Sequence, residues 1–185
     1  MSTTVRPASP DDVPEIADLA ARTFPLACPP ELAPDVVRAF VAEHLTPEAF
    51  RGYLAADGHE VLCARDADGT AVAYALLVDG TAMDPGCASQ IEYRPTVGVS
   101  KFYVDPAHHG SGAATALLDD VVQRAVTRGA HSLWLATNVA NERARRFYTR
   151  HGFLERGGRT FVVGGVPNTD VVYERPFVPA AGQCS

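Results

Sequence analysis

Residues 108–115 read His-His-Gly-Ser-Gly-Ala-Ala-Thr, between an apolar run ending at Val104 and a clean helical pattern. Glycine exposes backbone N–H groups and lets a ligand come close. A helix start adds unpaired N–H groups and the positive end of the helix dipole. These residue types point to an anion cradle. A P-loop needs lysine and a hydroxyl residue after its second glycine, and Ala113 and Ala114 stand there instead. A dinucleotide fingerprint needs a third glycine and a carboxylate about 20 residues on. Here the third glycine is replaced by Thr115, and the next apolar run ends in Ala136-Thr137-Asn138. The remaining anion reading is a pyrophosphate held by backbone N–H groups from His109 to Ala114, where Gly110, Ser111, Gly112, Ala113 and Ala114 are all small. The plainer alternative is a glycine-rich turn that only enters a helix.

A second group lies in Asn-Glu-Arg-Ala-Arg-Arg-Phe-Tyr, residues 141–148. Asn141, Ala144 and Tyr148 fall on one helix face. Asn141 is a natural N-cap and carries an amide for a polar ligand. Ala144 leaves room for something to pass. Tyr148 has an unperturbed pKa of roughly 10, suited to protonating a departing thiolate. A core aromatic with its hydroxyl at the surface is the plainer reading of Tyr148 taken alone.

The elements that must position these groups follow from periodicity. Residues 2–8 form a short strand. Ser9-Pro10-Asp11-Asp12 has a capping-box form, and Val13, Ile16, Ala17, Ala20 and Phe24 follow at helical spacing. Pro25, Pro29, Pro30 and Pro34 break the chain. A helix over about 35–45 turns Val37, Phe40 and Val41 inward, and Thr46-Pro47 opens a third with Phe50 and Leu54. Residues 60–79 are two strands about Asp66-Ala67-Asp68-Gly69, the second apolar on both faces and so central. Residues 81–95 read as a loop and 96–104 as the strand entering the glycine loop. The next helix carries a stripe of Leu117, Leu118, Val121, Val122, Ala125 and Val126, capped by Gly129. A strand at 131–137 and a helix closed by Gly152 follow. Two last strands are joined by Gly164-Gly165-Val166-Pro167. The expectation is one α/β (α+β) domain over residues 1–177, with no dividing linker, and a disordered tail at 178–185.

Composition is that of an ordinary globular chain: 185 residues, 46% hydrophobic, 21% charged, net charge −6. The absence of a basic run argues against nucleic acid and anionic membranes as partners. Lys101 is the chain's one lysine. Cys28, Cys63, Cys87 and Cys184 fit no zinc spacing, and no apolar leader precedes them. Free thiols in a cytoplasmic setting are expected. His108, His109, His131 and His151 have no paired ligand spacing, so no metal is expected.

The two motifs, in this order, resemble the GNAT superfamily of N-acetyltransferases. Residues 108–114 are similar to that family's acetyl-CoA loop, with His109 in place of the usual arginine or glutamine. Residues 134–153 resemble its asparagine–alanine–tyrosine helix and the glycine–phenylalanine that follows. A narrower resemblance, carried by 100–118, 133–153 and 159–177 and by Thr23-Phe24, is to the polyamine (spermidine/spermine) acetyltransferase branch.

The resemblance implies a mixed, mostly antiparallel central sheet flanked by helices, with a splayed strand pair holding acetyl-CoA. It implies that the pantetheine arm runs along Phe102, Tyr103 and Val104. The loop from His109 to Thr115 holds the pyrophosphate, and Asn138, Asn141, Ala144 and Tyr148 line the cofactor. An amine attacks the thioester directly, and Tyr148 protonates the leaving thiolate. One of Arg143, Arg145, Arg146 and Arg150 meets the 3′-phosphate. Gly98 and Ser100 stand where the polyamine branch carries acids, so the usual base is missing. Glu92 or a water chain is left for that role. The expected acceptor is a small-molecule amine. A catalytically weak acetyl-CoA sensor and a protein or peptide N-acetyltransferase are the alternatives, and a homodimer is compatible with either.

Overall fold

The computed structural model describes residues 3–163 and 166–177. The expected turn at Gly164-Gly165 and the expected disordered tail lie outside the described residues. Seven strands form one sheet: β1 (Thr4–Pro7), β2 (His59–Arg65), β3 (Ala71–Asp79), β4 (Thr96–Val104), β5 (Ser132–Asn138), β6 (Leu154–Val163) and β7 (Val166–Pro176). Their order is β1-β2-β3-β4-β5-β7-β6, antiparallel except for the parallel pair β4–β5. Helices α1 (Val13–Ala27), α2 (Pro34–His44) and α3 (Pro47–Ala55) lie on one face. Helices α4 (Ala113–Thr127) and α5 (Glu142–Arg150) lie on the other.

The doubly apolar β3 is buried from Ala71 to Val78, as a strand with a helix layer on each face must be. Leu117, Leu118, Val121 and Ala125 of α4 pack on the sheet, with Val122 at the margin. Val126 was expected in that stripe but is exposed. At 3.6 residues per turn it lies about 120° from the stripe's centre.

Pro25 does not break the chain, since α1 continues through it to Ala27. It falls in the last turn, where its missing N–H removes a single helix bond. No residue of α2 is fully buried, although Phe40 and Val41 pack against the α1–α3 core. The 81–95 loop contains a short 3-10 turn, Pro85–Gln90. β6 and β7 pair along Leu154–Val163 and Val166–Glu174, longer than the sequence pattern indicates.

Asp12 links β1, β2 and α1. It is 3% exposed and accepts hydrogen bonds from Arg6 (2.7 and 2.8 Å), Arg65 (2.7 Å), and the Ser9 backbone and hydroxyl (2.7 and 2.8 Å). The Arg6 bonds in particular hold its carboxyl far below the usual carboxylate range.

Candidate active site

β4 and β5 pair only at Thr96–Ser132, Val97–Leu133 and Gly98–Trp134. Beyond Gly98 they part. Thr96–Val99 are buried, Ser100 is exposed, and Lys101–Val104 are half-buried. Ser132–Leu135 are buried, whereas Ala136–Asn138 are half-buried. Exposure in the middle of a sheet marks a cleft. Within it, Phe102–Val104 pair with β3 on one side and present an unpaired backbone edge on the other. Such an edge accepts an extended chain bearing amides.

The closed end of the cleft is held by polar bonds. Ser132 Oγ donates to the Tyr93 carbonyl and Thr96 Oγ1, both at 2.8 Å. Trp134 Nε1 donates to the Gly80 carbonyl at 2.9 Å. Glu174, fully buried, accepts from the Glu92 and Tyr93 N–H groups (3.2 and 2.9 Å) and from Arg156 (2.9 Å). The strands therefore separate at one end only.

At the open end, β4 runs into the glycine loop. Gly110 and Gly112 have φ of +81° and +93°, a region L side chains rarely adopt. A Cβ at either position would point into open space. Ser111 Oγ donates to the His108 carbonyl and accepts from the Ala113 N–H (2.7 and 3.3 Å), which folds the loop onto itself. Gly110 and Gly112 donate to no backbone carbonyl of the described residues. Ala114 and Thr115 lie in the first turn of α4, where N–H groups have no partner within the helix. The space and free donors fit a pyrophosphate.

His109 and Arg143 are in contact beside this loop. Burial, with Arg143's charge, holds the His109 imidazole below its ordinary value. Two other arginines of α5 bind elsewhere: Arg145 meets Tyr173 and Val139, and Arg146 meets Glu142. Asn141 caps α5, its side-chain oxygen accepting from Ala144 N at 3.1 Å, which leaves its amide N–H₂ for a ligand. Asn138 accepts from Ala140 N at 2.9 Å and ends β5 at the cleft's far wall. Thr115 lies beside His151 at 3.4 Å.

Tyr148 is 6% exposed, packed among Phe102, Phe147, Phe153 and Tyr173. Burial raises its phenol well above the ordinary value, and nearby Tyr103 raises it further. Tyr103 belongs to the opposite face, stacked on Tyr74 and tilted against Phe24.

Neither Gly98 nor Ser100 supplies a strand acid. A Cβ at Gly98 would lie 2.6 Å from Met83 Cε and 3.0 Å from Trp134 Nε1. Glu92 is 59% exposed on its side chain and ion-paired to Arg156 at 3.0 Å, beside the closed end.

An acid that sequence reasoning missed lies across the cleft. Asp170 of β7 is 7% exposed and pairs in register with Asn138. Its charge is among those that raise the Tyr103 phenol. Arg159 donates twice to its Oδ2, at 2.9 and 3.1 Å, and also meets Asp84. No spacing motif links Asp170 to the glycine loop; only strand pairing does. Among the described residues no cluster is placed to hold a metal, and no helix is long and apolar enough to cross a membrane.

Residues 14–153 match the acetyltransferase (GNAT) family, and the chain belongs to it. It is an acetyl-CoA-dependent N-acetyltransferase. It is 41% identical over 167 residues to an uncharacterized N-acetyltransferase of Mycobacterium tuberculosis, covering 90% of this chain and 99% of that one. The PaiA N-acetyltransferase of Thermoplasma acidophilum, solved with coenzyme A, superposes with a TM-score of 0.75 at 16% identity, covering 96% and 100% of the two chains. NAA60 of Arabidopsis thaliana, solved with acetyl-CoA, gives 0.72 at 15% identity, covering 95% and 99%. At these identities the two structures bear on the fold alone.

Proposed function

We propose that the chain moves an acetyl group from acetyl-CoA to a primary amine of a small molecule by direct attack in a ternary complex. The observation that carries this reading is the parting of β4 and β5 beyond Gly98, with Tyr148 packed against Phe102 of the opened β4 edge. Acetyl-CoA supplies an activated thioester. The edge of Phe102–Val104 pairs with the pantetheine amides. The N–H groups from His109 to Thr115 hold the pyrophosphate, and Arg143 is the arginine placed to meet a phosphate. The Asn141 amide and the small Ala144 border the arm, and Asn138 closes the far wall.

The amine lone pair forms the C–N bond and the C–S bond breaks. Tyr148 gives its proton to the sulfur, and the nitrogen loses its proton to water entering beside exposed Ser100. Burial keeps the Tyr148 phenol protonated, so it has a proton to give, and also makes it a weaker acid than a free phenol. Glu92 is the weaker choice of base, since Arg156 already holds it.

The absence of an acid at Gly98 and Ser100 favours a second reading, a catalytically weak acetyl-CoA-binding module. Thiol release from acetyl-CoA across polyamines, amino acids, aminoglycosides and peptides separates the two. Release with one small-molecule class supports the proposal. No release with any acceptor, alongside tight acetyl-CoA binding, overturns it.

A further inference from the structure

A closed circuit of side chains, eight of them aromatic and one a cation, lies on the α1–α3 face of the sheet beside the cleft. Lys101 and Tyr103 share one face of β4, opposite Leu76 and Tyr74 of β3. Lys101 Nζ stands over the Tyr53 ring, 4.9 Å from its centroid. Tyr53 packs edge-on against Phe50 at 5.7 Å between centroids, and Phe50 edge-on against Tyr74 at 5.6 Å. Tyr74 stacks on Tyr103 at 5.6 Å. Tyr103 tilts against Phe24 at 6.2 Å, Phe24 stacks on Phe40 at 4.4 Å, and Phe40 meets His44 at 4.5 Å. The Tyr53 hydroxyl donates to the His44 carbonyl at 3.0 Å and closes the circuit.

Phe50 and Tyr74 are buried, whereas Phe24, Phe40, His44, Tyr53, Lys101 and Tyr103 are half-buried. The circuit is thus closed at its base and open at its rim. Ring surface gathered around one polar group is how small-molecule sites are built. The Tyr103 backbone belongs to the unpaired edge of β4, so the rim adjoins the cleft. Lys101 has no carboxylate partner among the described residues. Acids on the flanking segments are already engaged: Glu43 lies 3.7 Å from His44, and Arg22 holds Asp105 at 2.6 Å. Burial lowers the Lys101 amine to about 8, which still leaves it charged at neutral pH.

We propose that this circuit is the acceptor pocket and that Lys101 holds an anionic group of the acceptor, so that the substrate is an aromatic primary amine bearing a carboxylate. The pocket rests on the transferase reading above and narrows its substrate. A half-buried cation without a counter-charge is costly, and a ligand carboxylate removes that cost while its ring packs on the others. A polyamine would meet repulsion at Lys101 and find no carboxylate in the circuit.

The test compares kcat/KM for 4-(aminomethyl)benzoate with 4-(aminomethyl)benzamide, and for tyrosine with tyramine. The aliphatic acid 6-aminohexanoate and spermidine are further arms. The expected result is that one aromatic acid exceeds both its neutral counterpart and 6-aminohexanoate by roughly tenfold or more, the scale of one charge-assisted contact. Lys101→Met should bring the acid-to-neutral ratio to within about threefold, and Lys101→Arg should retain most of it. The acetyl-CoA thermal shift verifies that each variant is folded. Equal use of acid and neutral amine, an aliphatic amine or spermidine as the best acceptor, or a ratio unchanged in Lys101→Met would overturn the pocket while leaving the transferase reading intact. Absence of release with every amine overturns both.

Discussion

In the proposed reaction Tyr148 and Gly112 act through unlike properties, one through burial and one through backbone freedom. Tyr148→Phe keeps the ring among Phe102, Phe147 and Phe153 and removes only the hydroxyl. Turnover should fall by roughly 10²-fold, within the range for loss of a general acid, with acetyl-CoA affinity nearly unchanged. Steady-state kinetics paired with acetyl-CoA titration checks this, and full turnover would assign the proton to another donor. The raised phenol also fixes the sign of one pH effect. Tyr148 stays protonated beyond the ordinary phenol value of about 10, so the kcat profile should show no falling limb from Tyr148 below that pH. At this scale the sequence is informative where a residue acts through its local backbone. The glycine turn at Gly110 and Gly112 and the capping role of Asn141 were legible from their neighbours alone. The burial of Asp170 was not, because it depends on strand pairing between distant segments.

Elements hold the cleft open at one end by closing it firmly at the other. Glu174 of β7 accepts two hydrogen bonds from the segment before β4 and one from Arg156 of β6. Glu174→Ala leaves two part-buried N–H groups without their acceptor and Arg156 with Glu92 alone. It should cost about 2–4 kcal/mol, or roughly 4–16 °C in Tm for a chain this size. Differential scanning calorimetry checks it. A second tie, Asp12, makes a pH-dependent contribution. Its folded pKa lies below the unfolded value of about 3.9, so the stabilisation is present above about pH 4 and is lost as pH falls through the folded value. Asp12→Asn should therefore lower Tm clearly at pH 7, and the gap from wild type should narrow below pH 4. Strong stripes such as Leu117, Leu118 and Val121 gave α4 directly. Pro25 misled because proline's effect depends on how many helix bonds remain beyond it, and helix ends are set by tertiary packing.

The whole molecule is a seven-stranded sheet with a different helix layer on each face. The α4–α5 layer carries the glycine loop and Tyr148. The α1–α3 layer packs through the rings of Phe24, Phe40, Tyr103 and Tyr74. On the proposed reading the two layers bring cofactor and acceptor to one gap, which suits direct transfer without a covalent enzyme intermediate. The class of fold was legible from the alternation of periods along the chain, whereas the packing of α1–α3 on the second face was not, since it depends on contacts between distant segments.

The central claim is that acetyl-CoA lies in the β4–β5 opening with its phosphates on the glycine loop. Ligand binding only to the folded state raises stability by about 2.7 kcal/mol at a hundredfold excess over Kd. The most direct measurement is the Tm shift produced by acetyl-CoA in wild type and in Gly112→Glu, which adds bulk and negative charge where phosphates would sit. The expected result is a rise of several degrees in wild type, roughly 5–11 °C at that excess, and none in a folded Gly112→Glu protein. An equal rise in the folded variant, or no rise in wild type, would contradict it.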